Sequence, residues 1–452
     1  MIVVLLFSFL FNVVIPVSAA DDAVSVSADE EIMRRDTIRY GTETEIASLI
    51  QTLHNEGADY LDDELVTLVE TTRNRNILGG VFNFFGERNK GGLEVRAIRA
   101  IKERDEETND TILAAADYLG KVKSEDAIDS LKELINTNEG RFMNTAIRSL
   151  GRAGGGGRYA DDIAEYLVEL FSNAKTADEY RREIIGSLGE TGSKKGTPFL
   201  SEFAANSEER AVLRIAALES LAKIGDDAGL EAILAAVADA DPNVRSTAVA
   251  SLGPFSGTAV DKAILEAFRD SYYRTRIGAA KASRERKLVE AVPYLKYRAE
   301  KDDVPQVKDE ALRALGAIGA GEAIAILDTL FMERKTSDRV RIIAAEMLMK
   351  NDADTYLDKL IVELDEAKAK KQTPLYNGFL KVIGESKTGK LDSLTRRFLA
   401  SGGIIEKSYA LDMAANNDFK DLSDEIKPLT EDKNASLARK AKVTLEKLGI
   451  SN

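Results

Sequence analysis

The chain has 452 residues, 44% of them hydrophobic, and 76 acidic side chains against 62 basic ones, for a formal net charge of −14. An acidic excess of this size repels phosphate backbones, which argues against nucleic acid as the main partner. There is no cysteine and a single histidine, His54, so thiol catalysis, disulfides, Cys-based zinc sites and His-rich metal centres are all excluded.

Met1–Ala20 (MIVVLLFSFLFNVVIPVSAA) is apolar up to Pro16 and then small. Asp21 and Asp22 follow at once, as they would after a signal-peptidase site, so residues 1–20 read as a secretory signal peptide. No Lys or Arg precedes the apolar run, and an uncleaved N-terminal anchor is the alternative, although about 16 apolar residues are short for a membrane span. With no cysteine after the run, a lipoprotein anchor is excluded. The expected location is outside the cytoplasm, in a bacterial periplasm, with membrane contact only if the segment is retained. Residues 21–35 are acidic and read as a flexible leader.

From residue 36 onward the pattern is helical. Ala58–Arg73 reads as an amphipathic helix, Asn83–Gly92 (NFFGERNKGG) as a turn-rich connection, and Leu93–Arg104 as the start of a run of helical hairpins. The stretch Asp241–Gly257 (DPNVRSTAVASLGPFSG) is the clearest unit. Asp241 can cap a helix and Pro242 suits its first position. Val244, Ala248 and Leu252 make one apolar stripe, Gly253 ends the helix, and Pro254 cannot continue it. Gly229–Ala240 upstream is a second amphipathic segment that would pack against it. Gly151–Arg158 (GRAGGGGR) is the longest glycine-rich linker and a candidate hinge at 151–158. No stretch of useful length alternates with period two, so almost no strand is expected.

This unit repeats. Its glycine position falls at Gly86, Gly120, Gly151, Gly189, Ala222, Gly253, Arg284, Gly316, Met349, Gly384, Ala415 and Glu446, in steps of 31 to 38 residues. Self-similarity at a period of about 32 is the signature of a stacked array. The pattern V-R-x-x-A-x-x-x-L-G recurs as Leu213-Arg214…Ala217…Leu221, Val307-Lys308…Ala311…Leu315-Gly316 and Val340-Arg341…Ala344…Leu348, with looser copies toward both ends. It resembles the HEAT-repeat family, in particular the short type also seen in phycobilisome lyases. The resemblance covers nearly all of residues 36–452. It implies an all-α solenoid, a superhelical stack of about twelve helical hairpins, and says little about function.

Five cations, Arg214, Arg245, Arg276, Lys308 and Arg341, occupy one position in five consecutive copies, so stacking places them in a column. One reading is a basic strip for an anionic partner or envelope ligand. The other is a structural ladder of the kind HEAT-like families show, each cation paired with an acid of a neighbouring turn; Glu208, Asp239, Asp241, Asp270, Asp303 and Asp338 stand at matching positions. Tyr272 and Tyr273, in the basic turn RDSYYRTR, are a candidate partner patch, and so are Phe82, Phe84 and Phe85, with inter-repeat packing as the plainer use of both. Gly384–Lys390 (GESKTGK) mimics a phosphate loop, but Leu391 stands where Ser or Thr must reach magnesium, and a helix precedes it. No catalytic residue, metal site or cofactor is expected. The chain reads as a non-enzymatic exported scaffold that binds protein partners through its concave face. A binder of an anionic non-protein ligand, acting through the cation column, is the alternative, and a lyase-type enzyme a remote one.

Overall fold

A computed structural model of the chain describes residues 28–173 and 177–450. The candidate signal segment and residues 21–27 of the leader lie outside these. Among the described residues the regular structure is helical throughout and falls into thirteen consecutive helical hairpins. Their apolar faces merge into one continuous core running from Ile38 to Leu448. No helix among the described residues is long and apolar enough to cross a membrane.

The hairpins share one plan. A first helix, such as Thr197–Ala205, leads through a short corner into a second, such as Ala211–Ile224. The second helices stack on one another along most of their length, whereas the first helices touch their counterparts much less. The closely packed layer must lie inside the bend, so the second helices line the concave face. At the far ends the array curls round: Glu446 of the last helix lies within electrostatic reach of Glu30 and Glu56 in the first hairpin. Burial and these two like charges together push its carboxyl up.

The glycine position explains how the second helices come so close. A Cβ on Gly120 would sit 2.6 Å from the Cα of Ser149, and one on Gly189 would sit 2.8 Å from that of Ser220. These glycines lie inside their helices, so their task is close approach. Helix termination belongs to a later residue, as at Gly192 and Gly225, both with φ +65°.

In the organising unit Asp241 caps as expected, its side chain accepting from the N–H groups of Asn243 at 2.7 Å and Val244 at 3.3 Å. Val244, Ala248 and Leu252 are all fully buried. The helix, however, runs only from Pro242 to Ala250, three residues short of Gly253. Pro254 disfavours helical backbone in the residue before it, and Ser251–Pro254 close as a turn.

Four readings of the N-terminal third need correction. Residues 28–35 are not a flexible leader; they belong to the helix Ala28–Tyr40. Arg34 is buried there and donates to Glu30, Glu56 and the Tyr60 hydroxyl, which ties the segment to the next helix and the turn after it. Asn83–Gly92 is not a connection up to residue 87, because Arg75–Glu87 is helical. Its Phe82, Phe84 and Phe85 are core residues, with Phe82 stacked on Tyr118 at 5.9 Å, so they form no contact patch. The helix read as Ala58–Arg73 is Asp62–Thr71. Gly151 and residues 152–153 of the glycine-rich linker end the helix Gly140–Ala153, and the Gly156 N–H donates to the Thr191 carbonyl at 3.1 Å across it.

Candidate binding surface

The five aligned cations do form a line, and its chemistry is internal. Arg276 is the clearest case. Its Nε and one terminal nitrogen each donate to Asp302 at 2.8 Å, and the other terminal nitrogen donates to the carbonyls of Asp270 and Ser271 at 3.1 Å. Arg245 repeats this: it takes Asp270 at 2.9 Å and the carbonyls of Asp239 and Ala240 at 2.8 and 3.1 Å. Arg214 takes the Ala204 carbonyl at 3.0 Å and the Asp239 carboxylate. Each guanidinium therefore neutralises the exposed carbonyls where its own first helix ends, and reaches forward to an acid of the next hairpin.

Those acids have a second task. Asp239, Asp270 and Asp302 accept the N–H two residues on, from Asp241, Tyr272 and Val304, at 2.8, 2.7 and 3.0 Å. Each thus shapes its own corner while binding the preceding repeat's arginine. Burial opposes ionisation of Asp270 and Asp302, but their arginines and these N–H groups hold both carboxyls below the usual aspartate range. Hydrogen bonds to Asp270 and Asp302 raise Arg245 and Arg276 in turn.

Two rungs differ. Arg341 pairs with Glu363 at 2.6 Å and with the Phe331 carbonyl at 2.8 Å, both partners buried. Lys308 reaches only the Glu300 carbonyl, at 3.3 Å. Of the acids matched by position, Asp239 and Asp270 serve, and Asp303 accepts a further bond from Arg276 at 3.2 Å. Asp241 caps its own helix instead. Asp302 was not foreseen because a one-residue change of register decides which of two neighbouring acids faces inward, and Glu363 was missed because it stands on a helix and not in a turn. With Arg214, Arg276 and Arg341 buried and each bonded to a carboxylate and a carbonyl, the arrangement supports a ladder and leaves little for a ligand.

The other residues of interest are placed as follows. The Tyr272 hydroxyl donates to Asn243 at 2.9 Å, joining two hairpins, and its ring meets that of Tyr273 edge-on at 5.4 Å. Tyr273 instead lines the concave face, where Arg274 donates to its hydroxyl at 3.2 Å. His54 is half exposed, with Nδ1 3.1 Å from the Glu87 carboxylate. In the stretch that mimics a phosphate loop, Thr388 and Lys390 bond to Asp354, so it is a corner between hairpins.

The accessible feature is the concave face itself, which sequence reasoning did not resolve into sites. Where the second helix stops at Ala250, a depression of about 710 Å³ opens between Lys223, Ser246, Ala250, Tyr273, Arg274 and Lys281, with Gln306 at its far edge. Toward the N-terminus a second one, about 460 Å³, lies among Asn144, Arg148, Arg182, Gly186, Glu219 and Lys223. Lys223 and Glu219 belong to both, so the two form one groove across the second helices. The basic run from Arg274 to Lys287 is the only sequence signal that could have drawn attention to it.

Residues 38–444 match the family described as Spirochaete HEAT repeat protein. No curated protein matches the chain. Among solved structures, YibA of E. coli aligns at 18% identity over 57% of this chain and 95% of its own, with a TM-score of 0.38. Yeast importin-β (Kap95p) aligns at 12% identity over 92% of this chain and 66% of its own, with a TM-score of 0.47. For Kap121p the values are 12%, 92%, 51% and 0.43, so this chain spans about half of that protein's length.

Proposed function

The chain belongs to the spirochaete HEAT repeat protein family, and on that premise we propose that it is a non-enzymatic scaffold binding protein partners through the concave face of its solenoid, outside the cytoplasm. One observation carries the reading. The second helices offer a groove that crosses several hairpins, open to solvent and lined by side chains that the core does not use. Stacked hairpins provide such a surface without any enclosed pocket, and its extent suits a polypeptide better than a small molecule. The cation column does not favour the anionic-ligand alternative, since its arginines are spent on Asp239, Asp270, Asp302 and Glu363. Export rests on the character of residues 1–20 and the absence of cysteine.

The test is site-directed photocrosslinking in the native host. A crosslinking residue at Asn144, Lys281 or Lys350, all on second helices, should capture protein in the envelope fraction. The same residue at Glu231 or Lys296, on the convex first helices, should not. Equal capture from both faces, or none from the concave one, refutes the proposal.

A further inference from the structure

The groove is not uniform, and the depression at the short helix Pro242–Ala250 differs from the rest of the concave face. Near the hollow several inner charges are cancelled across repeats: Arg148 pairs with Glu183 at 3.1 Å, Arg284 with Glu310 at 2.7 Å, and Lys223 with Glu190. Around this depression the lining holds Lys223, Arg274 and Lys281 against one acid, Glu219. Neither Lys281 nor Arg274 has an ion-pair partner among the described residues; Arg274 donates to the Tyr273 hydroxyl and stands beside that of Tyr272. Lys223, at the edge toward the N-terminus, pairs with Glu190 of the preceding hairpin, so the unbalanced cations of the hollow are Arg274 and Lys281. The floor is made of the small or polar residues Ser246, Thr247, Ala250 and Ser251, with Gly278 packed against the Ser246 carbonyl, so no bulky side chain fills it. A basic, small-residue hollow in a chain of net charge −14 is an exception that needs a cause.

From this we propose that the hollow holds an extended acidic segment of a protein partner. Its carboxylates would meet Lys223 at one end and Arg274 and Lys281 at the other, with its main chain against Ser246, Thr247 and Ala250. The spacing follows from the stacking. Helices that pack in parallel rows lie about 10 Å apart, so the helix of Lys223 and that of Lys281, two steps on, are about 20 Å apart. An extended chain covers that distance in about six residues. The partner's acidic groups therefore stand about six residues apart, separated by small or polar residues that fit a narrow, uncharged floor. Tyr273 and Ile277 line the side of the hollow and supply the apolar contact that charge alone lacks. The inference rests on the concave-face reading above and adds the partner's chemistry and its seat.

The experiment measures binding of a fluorescein-labelled peptide of Glu, Gly and Ser, with pairs of Glu about six residues apart, to the purified chain by anisotropy at low salt. Arg274 and Lys281 are exposed, so their reversal leaves the core intact. Arg274→Glu and Lys281→Glu should each weaken binding about tenfold, whereas Lys296→Glu, on the convex face, should change it less than twofold. An equal loss from Lys296→Glu would reduce the effect to general electrostatics and overturn the proposal. So would tighter binding of an oligothymidylate of equal charge, lost in the same variants, which would make the hollow a phosphate site. If the peptide does not bind but crosslinking from Lys281 still captures protein, the acidic occupant falls and the concave-face reading stands. If both fail, both fall.

Discussion

Replacing Arg276 by methionine tests the ladder directly. The Arg276 side chain is 9% exposed and that of Asp302 is 0%. The substitution keeps the apolar stem but removes a bidentate ion pair and the donors to the carbonyls of Asp270 and Ser271. It strands a buried carboxylate, which retains Arg298 at 3.3 Å and the Val304 N–H. Removing one partner of a buried pair costs about 3–5 kcal/mol, and the remaining Arg298 contact places this case toward the lower end. Because a repeat array need not unfold in one step, native-state hydrogen exchange is the suitable assay. Amides of the hairpins spanning residues 258–318 should lose protection by this amount, while those of residues 43–121 should change little. The sign with pH is fixed. Asp302 has a depressed pKa in the fold, so its contribution is present above the ordinary aspartate value and fades as pH falls toward its folded value. The difference between wild type and Arg276→Met should therefore narrow in acid. Lys308→Met, which removes a bond to a single carbonyl, should cost under about 1 kcal/mol. A loss below about 1 kcal/mol for Arg276→Met, matching Lys308→Met, would refute the ladder and return the column to the candidate ligand sites.

Two glycines in the helix Arg181–Thr191 should respond with opposite signs. A Cβ on Gly186 meets nothing within 4 Å, so Gly186→Ala should stabilise the chain by about 0.5–1 kcal/mol through helix propensity. Gly189→Ala drives a methyl into Ser220 and should destabilise it by about 1–3 kcal/mol, both read as shifts in the urea midpoint. Glu446 has a raised pKa, so its folded state binds protons more tightly and stability declines as pH rises through the ordinary glutamate range. Glu446→Gln should accordingly melt higher than wild type at pH 7 and lose that advantage near pH 4. In Glu30→Gln the Glu446 carboxyl should titrate closer to the ordinary glutamate value, and no such response would mean that the ends of the array do not face each other. Burial opposes ionisation at Glu406, but Lys368 and the Tyr376 hydroxyl, 2.7 Å from its carboxylate, hold it at about 2. Its contribution is present above the ordinary glutamate value and lost as pH falls toward 2, so Glu406→Gln should lower the neutral-pH melting temperature and flatten that acid limb.

The hairpin array was legible in the sequence because its signals are local. A cap at Asp241, proline at the next position, an apolar stripe through Val244, Ala248 and Leu252, and a recurrence of about 32 residues specify helices and their stacking without reference to distant contacts. Where local signals misled, a distant partner had overruled them. The polar stretch 28–35 is helical because Arg34 finds Glu56 and Tyr60, and Asn83 and Gly86 sit inside a helix because Phe82 and Phe85 need the core. The aligned cations were visible as a column, but their use was not. Whether Arg276 meets Asp302 inside or solvent outside depends on how one hairpin turns against the next, a rotation set by side-chain packing between the second helices, and sequence spacing does not encode it. The basic hollow has the same origin. Its floor is the small side chains Ser246, Thr247 and Ala250 of one helix, and only the side-by-side placement of that helix with those of Lys223 and Lys281 turns them into a surface.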